Sequence, residues 1–340
     1  MREDGITLVE LLISSLILAI MAVFIGNFLI NSFDNNLFIQ ASGDLGNYSQ
    51  QTVNTLRLEL TQSKKIFDRH ESGLGFWNKL QFPPDMKPLL GSRLPEIIQQ
   101  GSFAPSKFED IQKPFVQEAV GNILFFVEYL PAFESREDRF VIDRFRFVVE
   151  FLKEVKDGSF DAQNPKILDL VRCESSSYAD LVQVADVRDE TVKIKILQGL
   201  EAEKVETLWD SQAEPIAAFA SVSGFTSRGA RDSEHRIQLK NCQSVIKAMG
   251  RLNRTLGTIA YTVALNSDDG FRIRDFIPKY AKPLLARPLG VVPSFPHGFE
   301  VMVIGPKTSR QVFIRLVLAA SLRKMTLSRE SMIIATTKDS

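Results

Sequence analysis

The 340-residue chain has little cysteine, little histidine and no net charge, and each shortage bears on its function. Its 41 basic residues equal its 41 acidic residues. It therefore lacks the basic excess with which a nucleic-acid coat displaces counterions from phosphates, and no nucleic-acid partner is predicted. Its three histidines and two cysteines form no close cluster in sequence, which argues against a zinc site. No metal or other cofactor is predicted.

The two cysteines, Cys173 and Cys242, leave two alternatives open. Two free thiols would be ordinary in the cytosol, whereas an exported chain would use the pair for a single disulfide. Pairing requires a fold that brings their Cα atoms to about 4.4–6.8 Å from each other.

Motifs typical of catalysis are weak in this sequence. Ser221-Val222-Ser223-Gly224 lacks the leading glycine of a nucleophile elbow, and Ser233-Glu234-His235 has the flanking charges of a solvated turn. Residues 266–270 (NSDDG) have the composition of a calcium loop without its ordered ligands or distal glutamate, which favours a turn. No glycine-rich phosphate loop follows a predicted strand. We therefore expect that the protein is not an enzyme.

The chain does contain one long apolar run, from residue 8 to residue 30. A helix that spans a bilayer needs about 20 residues. A cleaved secretory signal would have a basic start and a shorter apolar core, but Met1-Arg2-Glu3-Asp4-Gly5 is not basic. A lipoprotein signal would place a cysteine after the run. A plain membrane anchor is the remaining alternative, and it leaves Glu10 unexplained.

Glu10 is a carboxylate near the start of this apolar run. A charge in a membrane helix is costly, so such residues are functional by default. Cleavage after Gly5 would create an α-amine on Ile6, and this cation could pair with Glu10 of the same chain or of a neighbouring subunit.

The stretch Gly5-Ile6-Thr7-Leu8-Val9-Glu10-Leu11-Leu12 resembles the cleavage and N-methylation signature of type IV pilins and type II secretion pseudopilins. The motif is short but specific. The resemblance implies that a prepilin peptidase cuts between Gly5 and Ile6 and that Ile6 is then N-methylated. It also implies that Glu10 provides the charge pair used in filament assembly.

The first residues depart from the family's pattern in two respects. Ile6 stands where phenylalanine is commoner, and the leader contains Glu3 and Asp4 where family leaders are usually basic. On the other flank, no lysine or arginine lies between Arg2 and Arg57, which fits translocation of the C-terminal side. We predict a single-pass protein of the bacterial cytoplasmic (inner) membrane, with its N-terminus in the cytoplasm and its C-terminal domain outside.

The helical pattern continues beyond the apolar run. Apolar residues recur at three- and four-residue steps, as in Phe33, Leu37, Phe38, Ala41, Leu45 and Tyr48, and again in Val53, Leu56 and Leu60. One helix from residue 7 to residue 63 would be about 85 Å long. Gly43 and Gly46 are expected to weaken or bend its middle.

The rest of the chain predicts an antiparallel sheet interrupted by two proline-rich, loop-rich insertions, at residues 69–118 and 278–306. Strands are predicted at residues 122–130, 140–150, 179–187, 192–197, 258–265, 299–304, 312–321 and 331–336. The expected fold class is α+β, with a long N-terminal transmembrane and filament-core helix packed on an antiparallel β-sheet domain.

The predicted organisation is a prepilin leader (1–5), a transmembrane assembly helix (6–30), its continuation (31–68) and a periplasmic or extracellular β-rich pilin-like domain (69–340). In layout it resembles the larger PilW-like minor pilins and the J-type minor pseudopilins. That resemblance implies a minor subunit that initiates or tips a type IV pilus-like or type II secretion filament. Its partners would be prepilin peptidase, other pilin or pseudopilin subunits, the inner-membrane assembly platform and membrane lipid. The alternative is a filament-displayed adhesin or ligand-binding module on the same helix.

Overall fold

The computed structural model describes residues 8–99, 119–135, 140–154, 167–225, 231–245, 259–262, 299–322 and 325–337. Helix α1 runs without a break from Leu8 to Thr61, a span of about 80 Å at the usual rise per residue. The prediction of one long helix is therefore confirmed over these residues, and the helix continues through Gly43 and Gly46.

The predicted continuation to residue 68 is wrong at its end, because strand β1 (Ser63–Ile66) begins two residues after the helix ends. The Ser63 hydroxyl donates to the carbonyl of Leu60 at 2.8 Å and lies 2.7 Å from the hydroxyl of Thr337. The chain leaves the helix here because its backbone pairs with another strand.

The sheet contains the other strands that the structure describes. In chain order these are β2 (Leu80–Gln81), β3 (Ile97–Ile98), β4 (Ile123–Ser135), β5 (Phe140–Glu154), β6 (Ile167–Asp180), β7 (Thr207–Trp209), β8 (Phe219–Ser221), β9 (Ile237–Ser244), β10 (Ile259–Thr262), β11 (Phe299–Ile304), β12 (Arg310–Leu322) and β13 (Met325–Thr337). Shorter helices among the described residues are α2 (Glu71–Trp77), α3 (Leu181–Ala185) and α4 (Glu190–Ala202).

The strand order is β1-β4-β5-β6-β10-β12-β11-β3, and β13 pairs with β12. Most pairs are antiparallel, as predicted, but β3 with β11, β2 with β9 and β6 with β7 are parallel. Gly121 and Val301 exchange backbone hydrogen bonds of 2.8 and 2.7 Å, which joins the start of β4 to β11. The sheet therefore curls back on itself.

The two faces of the sheet carry separate cores. On one face, Phe126, Val148 and Leu316 pack with buried residues of α1. On the other face, Phe125 and Phe147 pack with a cluster of aromatic side chains that includes Phe76. This division follows from strand geometry, because neighbouring residues such as Phe125 and Phe126 point to opposite faces.

Two predicted strands are helices in the structure. Residues 181–185 form α3, and residues 192–197 lie within α4. The carboxylate of Asp180 accepts from the amide of Gln183, and that of Asp189 accepts from the amides of Thr191 and Val192. These N-caps start helices in segments whose short apolar alternation is typical of strands.

Parts of the two segments predicted as loop-rich insertions are helix or strand in the structure. Within residues 69–98 lie α2, β2 and β3, and Phe76, Leu94 and Ile97 are buried in the cores. The insertion predicted at 278–306 overlaps the strand predicted at 299–304, and the structure confirms the strand, because residues 299–304 form β11 and are buried at every position. Residues 100–118 and 278–298, together with the NSDDG segment, lie outside the described residues.

Candidate functional site: the N-terminal helix and its attachment

The first half of α1 is apolar and stands away from the globular part. Its described large apolar side chains between Leu8 and Ile30 are 49–78 % exposed. Within the described residues, α1 is the one helix that is long and apolar enough to cross a membrane, and none of its most apolar window is buried. Nothing in the part of the chain that the structure describes covers this apolar segment, which is long enough to cross a membrane.

Of the predicted processing motif, the structure describes Leu8 to Leu12, at the start of α1. Glu10 belongs to the first turns of α1, whereas Gly5 and Ile6 precede the described residues. The predicted cleavage site and the predicted methylation site are therefore not placed by the structure, and their roles stay predictions.

The second half of α1 is held against the sheet. Leu45, Leu56 and Leu60 are at most 2 % exposed and pack in the core formed with β4, β5, β11, β12 and β13. The hydroxyl of Ser49 hydrogen-bonds that of Ser331 on β13. One helix is therefore exposed at one end and firmly packed at the other.

Cys173 on β6 and Cys242 on β9 form a disulfide in the structure, across a sequence separation of 69 residues. The two strands are also paired antiparallel with an irregular register beside this bridge. Cys173 is fully buried in the aromatic core. The disulfide thus cross-links two strands of the globular part.

The globular part also has a polar pocket of about 420 Å³, which is lined by His235, Tyr178, Glu206 and Arg236 among others. The ring Nε2 of His235 is 3.2 Å from the hydroxyl of Tyr178, and its ring lies 4.6 Å from that of Phe219. Burial lowers the pKa of His235 and raises that of Tyr178. The predicted solvated turn is confirmed for Ser233 and Glu234, which are exposed and in a turn, but not for His235, whose side chain is only 18 % exposed.

The ammonium group of Lys79 contacts the backbone of the segment that lines this pocket. Its Nζ donates to the carbonyls of Ser233 and His235 at 2.8 and 3.3 Å, and its burial, with the charge of Arg236 nearby, lowers its pKa. Asp232 Oδ2 is 3.7 Å from His235 Nδ1, too far for the hydrogen bond of a catalytic relay. The pocket has polar groups of both signs and can bind a polar ligand by hydrogen bonds.

Sequence reasoning missed this pocket because it joins residues from β6, β9 and the loop before β9. The only local signal was a histidine in a charged segment, which is equally common on a solvated surface. The pairing of Tyr178 with His235 depends on strand contacts that no local pattern shows.

In comparisons with protein families, curated proteins and solved structures, nothing matches this chain. What the described residues define is a class of architecture, namely a long N-terminal apolar helix joined to a β-sheet-rich α+β domain. This arrangement is compatible with that of a pilin-like subunit.

Proposed function

We propose that the protein is a minor pilin or pseudopilin, which initiates or tips a type IV pilus-like or type II secretion filament. The observation that carries the proposal is the division of α1 into an exposed apolar half and a half packed on the sheet. A filament subunit needs both, because its helix leaves the lipid for a helical bundle while its globular part stays outside. The motif from Gly5 to Leu12 supports the same assignment.

In this mechanism, the charge pair formed by Glu10 provides the free energy that favours assembly. Lipid tails are as apolar as leucine, so the transfer of Leu8, Leu11 and Leu12 from lipid to a bundle brings packing but no hydrophobic gain. A charged side chain in lipid costs up to about 2.5–3.5 kcal/mol on the insertion scale, the value at the helix centre, and pairing of Glu10 with the α-amine of Ile6 in a neighbouring subunit would offset its share of that cost. Charge pairing between subunits, as opposed to pairing within one chain, would therefore favour the filament over the isolated subunit.

The disulfide supports export of the globular part. Disulfides persist in oxidising compartments such as the periplasm and the cell surface, and they are rare in the cytosol. A bridge between Cys173 and Cys242 therefore fits a C-terminal domain outside the cytoplasmic membrane. The long flank without lysine or arginine after the apolar run indicates the same orientation.

Glu10→Ala should separate assembly from insertion and processing. The variant should insert in the membrane and be cleaved, but it should be lost from sheared filaments, since its helix no longer carries a partner for the α-amine. Immunoblots of the membrane and sheared-filament fractions measure both. Ser14→Ala is the matched control. It removes an uncharged polar group from the same helix, so the variant should assemble normally.

A second variant checks the processing step that precedes assembly. Gly5→Glu should block the peptidase and leave the full-length band unshifted on a gel. Normal assembly of Glu10→Ala would contradict the charge-pair mechanism, and normal cleavage of Gly5→Glu would contradict the prepilin assignment.

The pocket at His235 favours a second candidate function, a binding module displayed on the filament by the same helix. The predicted insertion at 69–118 is not a separable binding loop, because Phe76, Leu94 and Ile97 belong to the cores. The pocket's mixed charges do not define a ligand class, so the filament subunit is the better supported function.

A further inference from the structure

A cluster of ionisable side chains lies between the last turns of α1 and the sheet. Its four carboxyls and two guanidiniums come from α1, β4, β5 and β6: Glu59, Glu128, Arg146, Glu150, Arg172 and Glu174. Glu59 is 29 residues beyond the apolar run, so the cluster belongs to the globular part and not to the membrane-spanning segment.

Glu128 and Glu174 each pair with both arginines of the cluster. Arg146 donates to Glu128 at 2.7 Å and to Glu174 at 2.6 Å. Arg172 donates to Glu128 at 3.1 Å and also pairs with Glu174. Both guanidiniums are thus engaged by the carboxylates of β4 and β6.

Glu59 and Glu150 are left with much weaker contacts. The Nε of Arg172 is 3.4 Å from Glu59 Oε1 and 3.8 Å from Glu150 Oε1, and it forms a hydrogen bond with neither. Oε2 of each glutamate is buried without a hydrogen-bond partner. Both side chains line a cavity of about 310 Å³, together with Leu56, Arg172 and Gln243.

Two buried carboxylates with so little compensation would be unstable in their charged forms. A buried charge without a partner is neutralised by a shift of its pKa. Burial, followed by the charge of Glu59, raises the pKa of Glu150 well above its ordinary value. Burial also raises the pKa of Glu59, although the charge of Arg172 opposes this.

We propose that Glu59 of α1 and Glu150 of β5 share one proton at neutral pH, so that a carboxyl–carboxylate hydrogen bond fastens the helix to the sheet and is lost in alkaline solution. One carboxyl donates its O–H to the carboxylate of the other. When the pH rises, the proton passes to solvent, and two like charges then face each other across the junction. The proposal concerns this junction and is independent of the function of the exposed half of α1.

The surroundings favour a proton over a metal cation. The guanidinium of Arg172 lines the same cavity and would repel a cation. Among the residues that the structure describes, no group of three or more His, Cys, Asp or Glu side chains is placed to hold a metal ion. Gln243 and Val245, which complete the wall on the side of β9, are uncharged.

The sign of the pH effect follows from linkage. Both carboxyls have a raised pKa in the folded state, so their bound proton stabilises the fold fully below the ordinary carboxyl pKa of about 4.3. This stabilisation is lost as the pH rises through the folded-state pKa. For one proton, the folding equilibrium constant falls by at most about tenfold per pH unit in that interval.

The test uses the full chain in detergent micelles. Infrared spectra of the wild type at neutral pH should contain the C=O band of a protonated carboxyl, and denaturant unfolding should show a folding constant that falls toward alkaline pH. In Glu150→Gln the amide can donate to Glu59 without titrating, so the band should weaken and the alkaline loss should largely disappear. Glu201→Gln, on the exposed face of α4, is the matched control and should behave as the wild type.

Each alternative outcome overturns the proposal. An unchanged band and an unchanged pH dependence in Glu150→Gln would show that the pair does not hold the proton. A folding constant that responds to added Na⁺, Mg²⁺ or Ca²⁺ but not to pH would assign the cavity to a cation. If Glu150→Gln fails to fold, the infrared band and the pH dependence of the folding constant are compared between the wild type and Glu59→Gln instead. Filament assays are a separate readout, so failure here does not bear on the proposed function.

Discussion

Single glutamates stand at both ends of helix α1, but the sequence reveals only one of them. Glu10 interrupts a run of apolar residues, and its unusual place can be recognised without a structure. Glu59 lies in an ordinary mixed segment, Arg57-Leu58-Glu59-Leu60, where a glutamate is typical of a solvated helix face. Its burial depends on the register of β4, β5 and β6, which brings residues far apart in sequence to one place.

Gly121, two residues before strand β4, lies where two backbone segments approach each other closely. A Cβ on Gly121 would overlap backbone atoms of Arg93, Leu94 and Pro95. This neighbouring segment cannot move aside easily, because the carbonyl of Arg93 accepts hydrogen bonds from the amides of Asn122 and Ile123 at 3.0 and 3.2 Å. The close approach of the two backbones therefore requires glycine.

Gly121→Ala should lower the free energy of unfolding by about 1–3 kcal/mol, the usual cost of overpacking. Urea denaturation of the full chain in detergent measures the change. Gly224→Ala is the matched control, because a Cβ there meets no atom within 4 Å, and it should be nearly neutral. Equal stabilities of the two variants would contradict the close approach at Gly121.

At the scale of elements, the periodicity of α1 was sufficient to predict a helix of almost the observed length. Its apolar residues recur at helical steps through two glycines, and the same residues, Leu45, Leu56 and Leu60, are buried in the structure. The short helices α3 and α4 were mistaken for strands, because five or six residues of apolar alternation are ambiguous. Their capping residues, Asp180 and Asp189, were the signals that could have corrected the prediction.

The attachment of α1 to the sheet can be tested with two leucines on its opposite sides. Leu56 is 1 % exposed, whereas Leu58 is 60 % exposed. Leu56→Ala removes buried methyl groups and should lower the free energy of unfolding by about 2–5 kcal/mol. Leu58→Ala should change it by less than about 0.5 kcal/mol.

Denaturant unfolding of the two variants under the same conditions checks this prediction. A similar loss in both would show that this part of the helix does not pack on the sheet through Leu56. A loss confined to Leu56→Ala would show that the packed half of α1 belongs to the folded core.

At the scale of the molecule, the α+β class and most long strands could be predicted, but the connections between them could not. Strands β4, β5 and β12 were predicted over most of their length and β13 over its second half, because these stretches are rich in apolar residues. Strand β6 was missed except for its last two residues, which began the strand predicted at 179–187. The parallel pairs, the return of the sheet from β11 to β4 and the pocket at His235 were missed. All of these depend on contacts between distant segments, which local patterns do not contain.

The proposed role in a filament requires processing at the start of the chain, and N-terminal mass spectrometry of the mature protein tests this proposal most directly. The protein should be isolated from cells that contain a prepilin peptidase. We predict a chain that begins at Ile6, with a methyl group on its α-amine and the apolar half of α1 retained. A mature protein that still begins at Met1, or one cut after the apolar run, would contradict the assignment to the pilin and pseudopilin class.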